Sequence, residues 1–182
     1  SSSNSNSNSN SSDSSNSNNT NTRPIVLDCR NSYESEVGLF EATLHPGIVP
    51  LLDALVADGV RLALATAKPH EQACTTLEHF GIADRFSAVG AASADGATRP
   101  KQVIVADALT QLGYRPPLAR GSRPAVAMVG DRLHDVHGGR VNGCTTVAVE
   151  WGFAQPGELD AHAPDHRVAD VAELLALLRR LG

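Results

Sequence analysis

A chain of 182 residues is long enough to build one domain with a buried core. Its formal charge of -5 leaves no basic footprint for nucleic acid, and no apolar run reaches membrane-spanning length. Without a charged-then-apolar leader the expected location is cytoplasmic, with neither a membrane nor a nucleic-acid partner.

The chain opens on a tract, residues 1–22, that is almost entirely Ser and Asn. Such a tract buries too little apolar surface to offset its ordering entropy, and a disordered tail is expected. A flexible tether or a phosphorylation region is the functional alternative. The absence of an initiating Met is expected of a fragment or a processed chain. The three cysteines, Cys29, Cys74 and Cys144, form no C-x-x-C pair, so neither zinc nor a disulfide framework is indicated. Cys74 and Cys144 are expected to be small buried side chains.

From Arg23 onward strands and helices alternate. Pro24–Leu27 is apolar but too short to classify alone. Ile48, Leu51, Leu52, Leu55 and Val56 recur at helical spacing over Gly47–Asp58, and Gly59 stops them. Val60–Thr66 reads as a strand. Glu71–Phe80 reads as a helix closed by Gly81, with Glu71 at its positive end. Phe86–Gly90 is a short strand, and Gln102–Leu112 an amphipathic helix ending at Gly113. Ala125–Val129 is a strand, and Asp135–Asn142 a short helix weakened by Gly138 and Gly139. Thr145–Val149 and His166–Val168 are strands, and Val171–Leu181 is a leucine-rich closing helix. Strands separated by helices of about ten residues imply right-handed crossovers. Continuous apolar strands imply a sheet covered on both faces. The expected fold class is α/β, a three-layer α/β/α sandwich around a mainly parallel Rossmann-like sheet, with no internal repeat.

Chemistry gathers where strands end. The run AVAMVGDRLHD closes on Gly130-Asp131, with Asp135 four residues later. A buried strand that stops at a carboxylate presents it at the sheet's carboxyl edge, where open α/β sheets bind ligands. A second acid one helical turn on can converge there, and two carboxylates suit a hard cation such as Mg²⁺. The alternative is a strand followed by a loop with two solvated acids. Thr66 closes the strand VRLALAT, where a hydroxyl can donate to an anionic oxygen or simply cap a helix. Lys101 opens a helix after Arg99-Pro100, either as a solvated lysine or as the cation that balances phosphate and carboxylates.

In the order T-x-K-P, R-P-K and GD-x-x-x-D, these segments resemble the haloacid dehalogenase superfamily, in particular its phosphoglycolate phosphatase-like members. The likeness runs from about Tyr33 to Leu181 and includes EVGLFEATLHPGI, LALATAKP, HFGIADRFSAVGAAS, MVGDRLHDVHGGRVNG and AVEWGF. The resemblance implies Mg²⁺-dependent hydrolysis of a small phosphorylated metabolite, phosphoglycolate-like or a nucleotide monophosphate, through an aspartyl-phosphate. It implies that Thr66 and Ala67 bind phosphoryl oxygens and that Lys101 steadies the phosphate and the nucleophile. Asp131 would bind Mg²⁺ directly, Asp135 would support the metal shell or Lys101, and Gly130 would permit their close approach.

The family's amino-terminal D-x-D-G-T is missing. Asp28, in PIVLDCRNS, is the only candidate nucleophile; Arg30 stands where the second acid belongs, and Asn31-Ser32 replace Gly-Thr. A guanidinium cannot accept a proton from water at neutral pH. SYESEVGLFEATLHPG resembles the end of a helical cap, so Cys29–Phe40 are expected to align with the cap's end. The favoured arrangement then has the nucleophile strand and most of the cap absent, leaving little or no cap domain. The other arrangement is capless, with Asp28 as a worn-down nucleophile. The expected organisation is a tail at 1–22, a remnant of the nucleophile strand or a cap-end helix at 23–46, and a core at 47–182. If Ile25–Leu27 did not fill the central gap, the fragment would be unstable or would associate with another chain.

Two functions follow: a phosphatase of this lineage, doubtful in turnover, or a non-catalytic module that binds metal or phosphate. A phospho-receiver domain is disfavoured because its acidic pair comes early. His134 and His137 flank Asp135 but lack a third nitrogen or sulfur ligand. Trp151 and Phe153 are expected over or beneath the site edge. Arg132 is expected in a surface or structural pair, and Arg99 is a candidate contact for a substrate anion.

Overall fold

The computed structural model describes residues 24–27, 44–93, 99–119, 121 and 126–182. The Ser/Asn tract, Asp28, Arg30 and Cys29–Phe40 lie outside the described residues.

Among the described residues six parallel strands form one sheet. In chain order they are β1 (Pro24–Leu27), β2 (Arg61–Pro69), β3 (Phe86–Ala92), β4 (Ala127–Gly130), β5 (Thr145–Val149) and β6 (His166–Val168). The helices are α1 (Ile48–Ala57), α2 (His70–His79), α3 (Lys101–Gln111), α4 (Leu133–Val141), α5 (Glu158–His162) and α6 (Val171–Leu181). Across the sheet the strands run β3-β2-β1-β4-β5-β6. The chain builds outward from β1 to β3, then crosses back to β4 on the other side of β1. This reversal is a topological switch point, and it opens a crevice above the carboxyl ends of the strands.

Pleating sends alternate side chains to opposite layers. Ile25 and Leu27 join Leu51, Leu52 and Leu55 of α1, Ala73 and Leu77 of α2, and Leu174, Leu177 and Leu178 of α6. Val26 faces the other way, against Ile104, Val105, Ala108 and Leu109 of α3. Val136 of α4 and Leu159 of α5 pack with Ala148 of β5. Helices on both faces of a parallel sheet make the expected three-layer sandwich.

The four residues too short to classify are the centre of the sheet. Leu27 pairs with Leu64 on one side and Val129 on the other. The central position that the favoured alignment leaves vacant is therefore occupied, which corrects that expectation. Ile25, Val26 and Leu27 are buried as β-strand residues are when neighbours flank both edges and helices cover both faces.

Other boundaries moved by a few residues. β2 runs on past Thr66 to Pro69, because Pro69 pairs with Ala92 beyond a register irregularity that follows Ala65. Proline is tolerated at such an end, where its missing N–H costs little. The glycines of α4 do not shorten it. A Cβ on Gly139 would lie 2.6 Å from Met128 Cβ, so the glycine lets the helix settle against β4. α5 had no sequence signal beyond a few residues of mixed polarity. Cys144 is buried, and burial pushes its thiol up to about 12. Cys74 is half-buried instead, with its Sγ 3.5 Å from His70 Nε2 one turn earlier on α2.

Candidate active site

Register brings the two flanking strands to the same height. Thr66 lies two residues beyond Leu64 and Asp131 two beyond Val129, and both Leu64 and Val129 pair with Leu27. The crevice above β1 thus has a hydroxyl on one wall and a carboxylate on the other. Asp28 follows Leu27 in the sequence; its own placement is outside the described residues.

Lys101 joins the two walls from below. It is the first residue of α3, and its stem runs in under Gly138 of α4. Its Nζ donates to Ala65 O at 2.8 Å, directly before Thr66. The same Nζ lies 2.9 Å from Asp135 Oδ1, with both side chains almost fully buried. Asp135 Oδ2 accepts the backbone N–H groups of Asp131 and Arg132, at 3.1 and 3.0 Å. That carboxylate is thus fully employed in shaping the turn and neutralising Lys101.

Asp131 differs. Its Oδ2 accepts the Phe153 N–H at 2.7 Å. Among the described residues its Oδ1 is buried and has no hydrogen-bond partner. An unpaired buried carboxylate oxygen is costly, and its chemistry suits a cation. Among the described residues no three His, Cys, Asp or Glu gather as a metal cage. Mg²⁺ does not require one, since it commonly takes one or two carboxylates and completes its shell with water and phosphate oxygens. Asp131 Oδ1 fits such an ion; Asp135, with its oxygens engaged, fits only an indirect role.

Glycines bring these groups together. A Cβ on Gly130 would stand 2.5 Å from Asp135 Oδ2, and one on Gly152 would stand 2.6 Å from Asp131 Oδ2. Gly152 was invisible to sequence reasoning because its role is contact across 21 positions of chain, although its place between two aromatics was noticeable. Trp151 stacks on His45 with ring centroids 5.2 Å apart. Phe153 remains exposed at the rim.

Thr66 is buried, and its Oγ1 accepts the Lys68 N–H at 3.2 Å, which leaves the hydroxyl proton available to donate. Ala67 is exposed beside it. Arg99, the candidate anion contact, donates to Ala91 O at 3.1 Å and to Asp107 Oδ2 at 2.5 Å, tying the approach to Lys101 down. His134 and His137 are exposed on α4. Arg132 is in a structural pair, its Nε 2.8 Å from Glu158 Oε1. Glu158 was not anticipated. It also accepts the N–H groups of Leu133 and Gln155, at 2.8 and 3.1 Å. The Arg132 guanidinium, helped by those N–H groups and opposed by partial burial, holds the Glu158 carboxyl down at about 2.

Along the carboxyl edge of a doubly wound α/β sheet, on the two sides of its switch point, the fold thus sets a hydroxyl, a buried ammonium and a carboxylate with one oxygen unpaired among the described residues. The haloacid dehalogenase-like hydrolase family model matches residues 17–143, and the chain belongs to that family. It is 43% identical over 118 residues to tyrosine-protein kinase PtkA of Mycobacterium tuberculosis, covering 65% of this chain and 38% of that protein. It is 35% identical over 141 residues to a 5'-nucleotidase of Pseudomonas aeruginosa, covering 78% and 61%. A phosphoglycolate phosphatase of Chromobacterium violaceum is 30% identical over 137 residues, covering 75% and 57%. The crystal structure of a predicted phosphatase from Clostridium acetobutylicum superposes with a TM-score of 0.69 at 30% identity, over 78% of this chain and 62% of that one. The chain therefore spans between 38% and 62% of the length of these relatives. Among the described residues no helix is long and apolar enough to cross a membrane.

Proposed function

We propose that this chain carries a magnesium-dependent phosphoryl-transfer site for a small phosphomonoester, of the kind its phosphatase relatives suggest. The observation that carries this reading is the division of labour between the two acids. Asp135 is consumed in holding Lys101 and the turn, while Asp131 keeps one buried oxygen unpaired. Asp131 Oδ1 would hold the ion. When bound, Mg²⁺ supplies positive charge that offsets the negative charge of the phosphate and the carboxylates. Thr66 Oγ1 would donate to a phosphoryl oxygen, with Ala67 N–H beside it. Lys101 would hold the phosphate charge from below while its bond to Ala65 O keeps the ammonium from swinging.

Asp28 would be the attacking group. Its carboxylate oxygen forms a bond to phosphorus as the ester oxygen leaves, giving an aspartyl-phosphate that water then cleaves. Two facts support Asp28 in that role: it follows the central strand between the Thr66 and Asp131 strands, and the family match extends through it. Arg30 in place of the second acid argues for slow turnover, because the leaving oxygen and the attacking water lack a carboxyl to exchange protons with. That same residue favours a second reading, a module that binds metal and phosphate without turnover. Relatives named as phosphatases and as a kinase have phosphoryl transfer in common, which is as far as their names reach.

The deciding experiment is a Mg²⁺-dependent phosphatase assay on phosphoglycolate and nucleotide monophosphates with wild type, Asp28→Asn and Asp131→Asn. The expected outcome is slow turnover that both substitutions reduce by at least about a hundredfold. No turnover in wild type, with phosphate binding retained, selects the binding module.

A further inference from the structure

We propose that Glu158 is a positioning residue for the metal acid: it holds the Arg132 guanidinium away from Asp131, so that the free Asp131 oxygen stays open to a cation. This inference rests on the magnesium reading above.

Three observations carry it. First, among the described residues Asp131 Oδ1 is buried and unpartnered although a guanidinium hangs from the next residue. Arg pairs readily with carboxylates, and an arm of this length released from its partner is a competitor for that oxygen. Second, Glu158 has captured the arm: Arg132 Nε lies 2.8 and 3.2 Å from its two oxygens. Third, Glu158 is itself fixed. Leu133 N–H, at the start of α4, and Gln155 N–H, in the loop after β5, both donate to it. Those same two segments hold Asp131, through the Asp135 turn on one side and Phe153 N–H on the other. Glu158 is therefore a staple across both supports of Asp131, and it removes the competing cation. Among the described residues a second cation of this site, Lys101, is committed to Asp135 and Ala65.

The test is magnesium affinity of the full chain, measured by calorimetric titration with magnesium chloride and followed in parallel by fluorescence of Trp151, the single tryptophan, which neighbours Gly152. Glu158→Gln should weaken Mg²⁺ binding about tenfold, as loss of a supporting partner around a metal ligand commonly does. The double variant Arg132→Gln/Glu158→Gln should recover to within about threefold of wild type, because the competing guanidinium is gone. A purely structural role for Glu158 would show no such recovery. Asp160→Asn, which breaks the α5 pair with Arg167 but leaves Glu158 in place, should bind Mg²⁺ like wild type. If Glu158→Gln does not fold, Glu158→Asp replaces it and should fall between the two. The proposal is overturned if Glu158→Gln binds like wild type, if the double variant is as weak as the single, or if Asp160→Asn is equally weak. Wild type that takes up no Mg²⁺ overturns the magnesium reading along with it, a result distinct from any of these.

Discussion

Asp131 and Asp135 are the same residue type four positions apart, yet their surroundings give them different work. The backbone N–H groups and Lys101 that surround Asp135 make it a strut. Asp131 meets one N–H and keeps an oxygen. The buried Lys101–Asp135 pair should therefore be expensive to break from one side. Lys101→Met leaves Asp135 as a buried carboxylate without its cation, and a loss of about 3–5 kcal/mol is expected in chemical denaturation. The motif GD-x-x-x-D made the acids legible, and the chemistry of hard cations made their pairing reasonable. Which of the two stays open came only from the family resemblance, because in the fold it depends on a Phe153 N–H and a Lys101 ammonium from distant stretches. Arg99 illustrates the same limit: a cation just before Lys101 reads as a ligand contact, whereas in the fold Asp107 and Ala91 O engage it.

At the scale of elements, the long helices and β5, β6 and α6 follow directly from periodicity and from Gly stops. The failures sit where tertiary contact overrides local propensity. α4 accepts two glycines because its neighbours leave no room for side chains there. α5 is a single short turn of helix whose value lies in what Glu158 grips. That grip has a pH signature. The folded Glu158 carboxyl is lowered from 4.5 to about 2, so its contribution to stability is present above the unfolded value and is lost as pH falls through the folded one. The stability difference between wild type and Glu158→Gln should be constant from about pH 7 to pH 5, shrink below about 4.5 and be nearly gone by about 2. Denaturant melts of both proteins across that range check it.

For the whole molecule, the decisive fact is that four residues, Pro24–Leu27, form the middle of the sheet. Ile25, Val26 and Leu27 contribute about 1.5–3 kcal/mol each by burial, against a typical domain stability of about 5–15 kcal/mol. Both neighbouring strands also lose their ladder partners if β1 is removed. A chain beginning at residue 23 should melt like the full chain, whereas one beginning at residue 28 should lose cooperative unfolding or aggregate through the bared edges of β2 and β4. Thermal melts with light scattering distinguish the two. The sequence alone determined the alternation of strands and helices, hence the parallel sheet, because periodicity is a local property; the set Thr66, Lys101, Asp131 and Asp135 came from the order of its motifs and the family they resemble. It could not determine that PIVL is a strand, since four apolar residues carry no period of their own and become a strand only between two partners. Nor could it supply the staple of Glu158 or the contact of Gly152, which exist only once the crossover connections fold distant segments over one crevice.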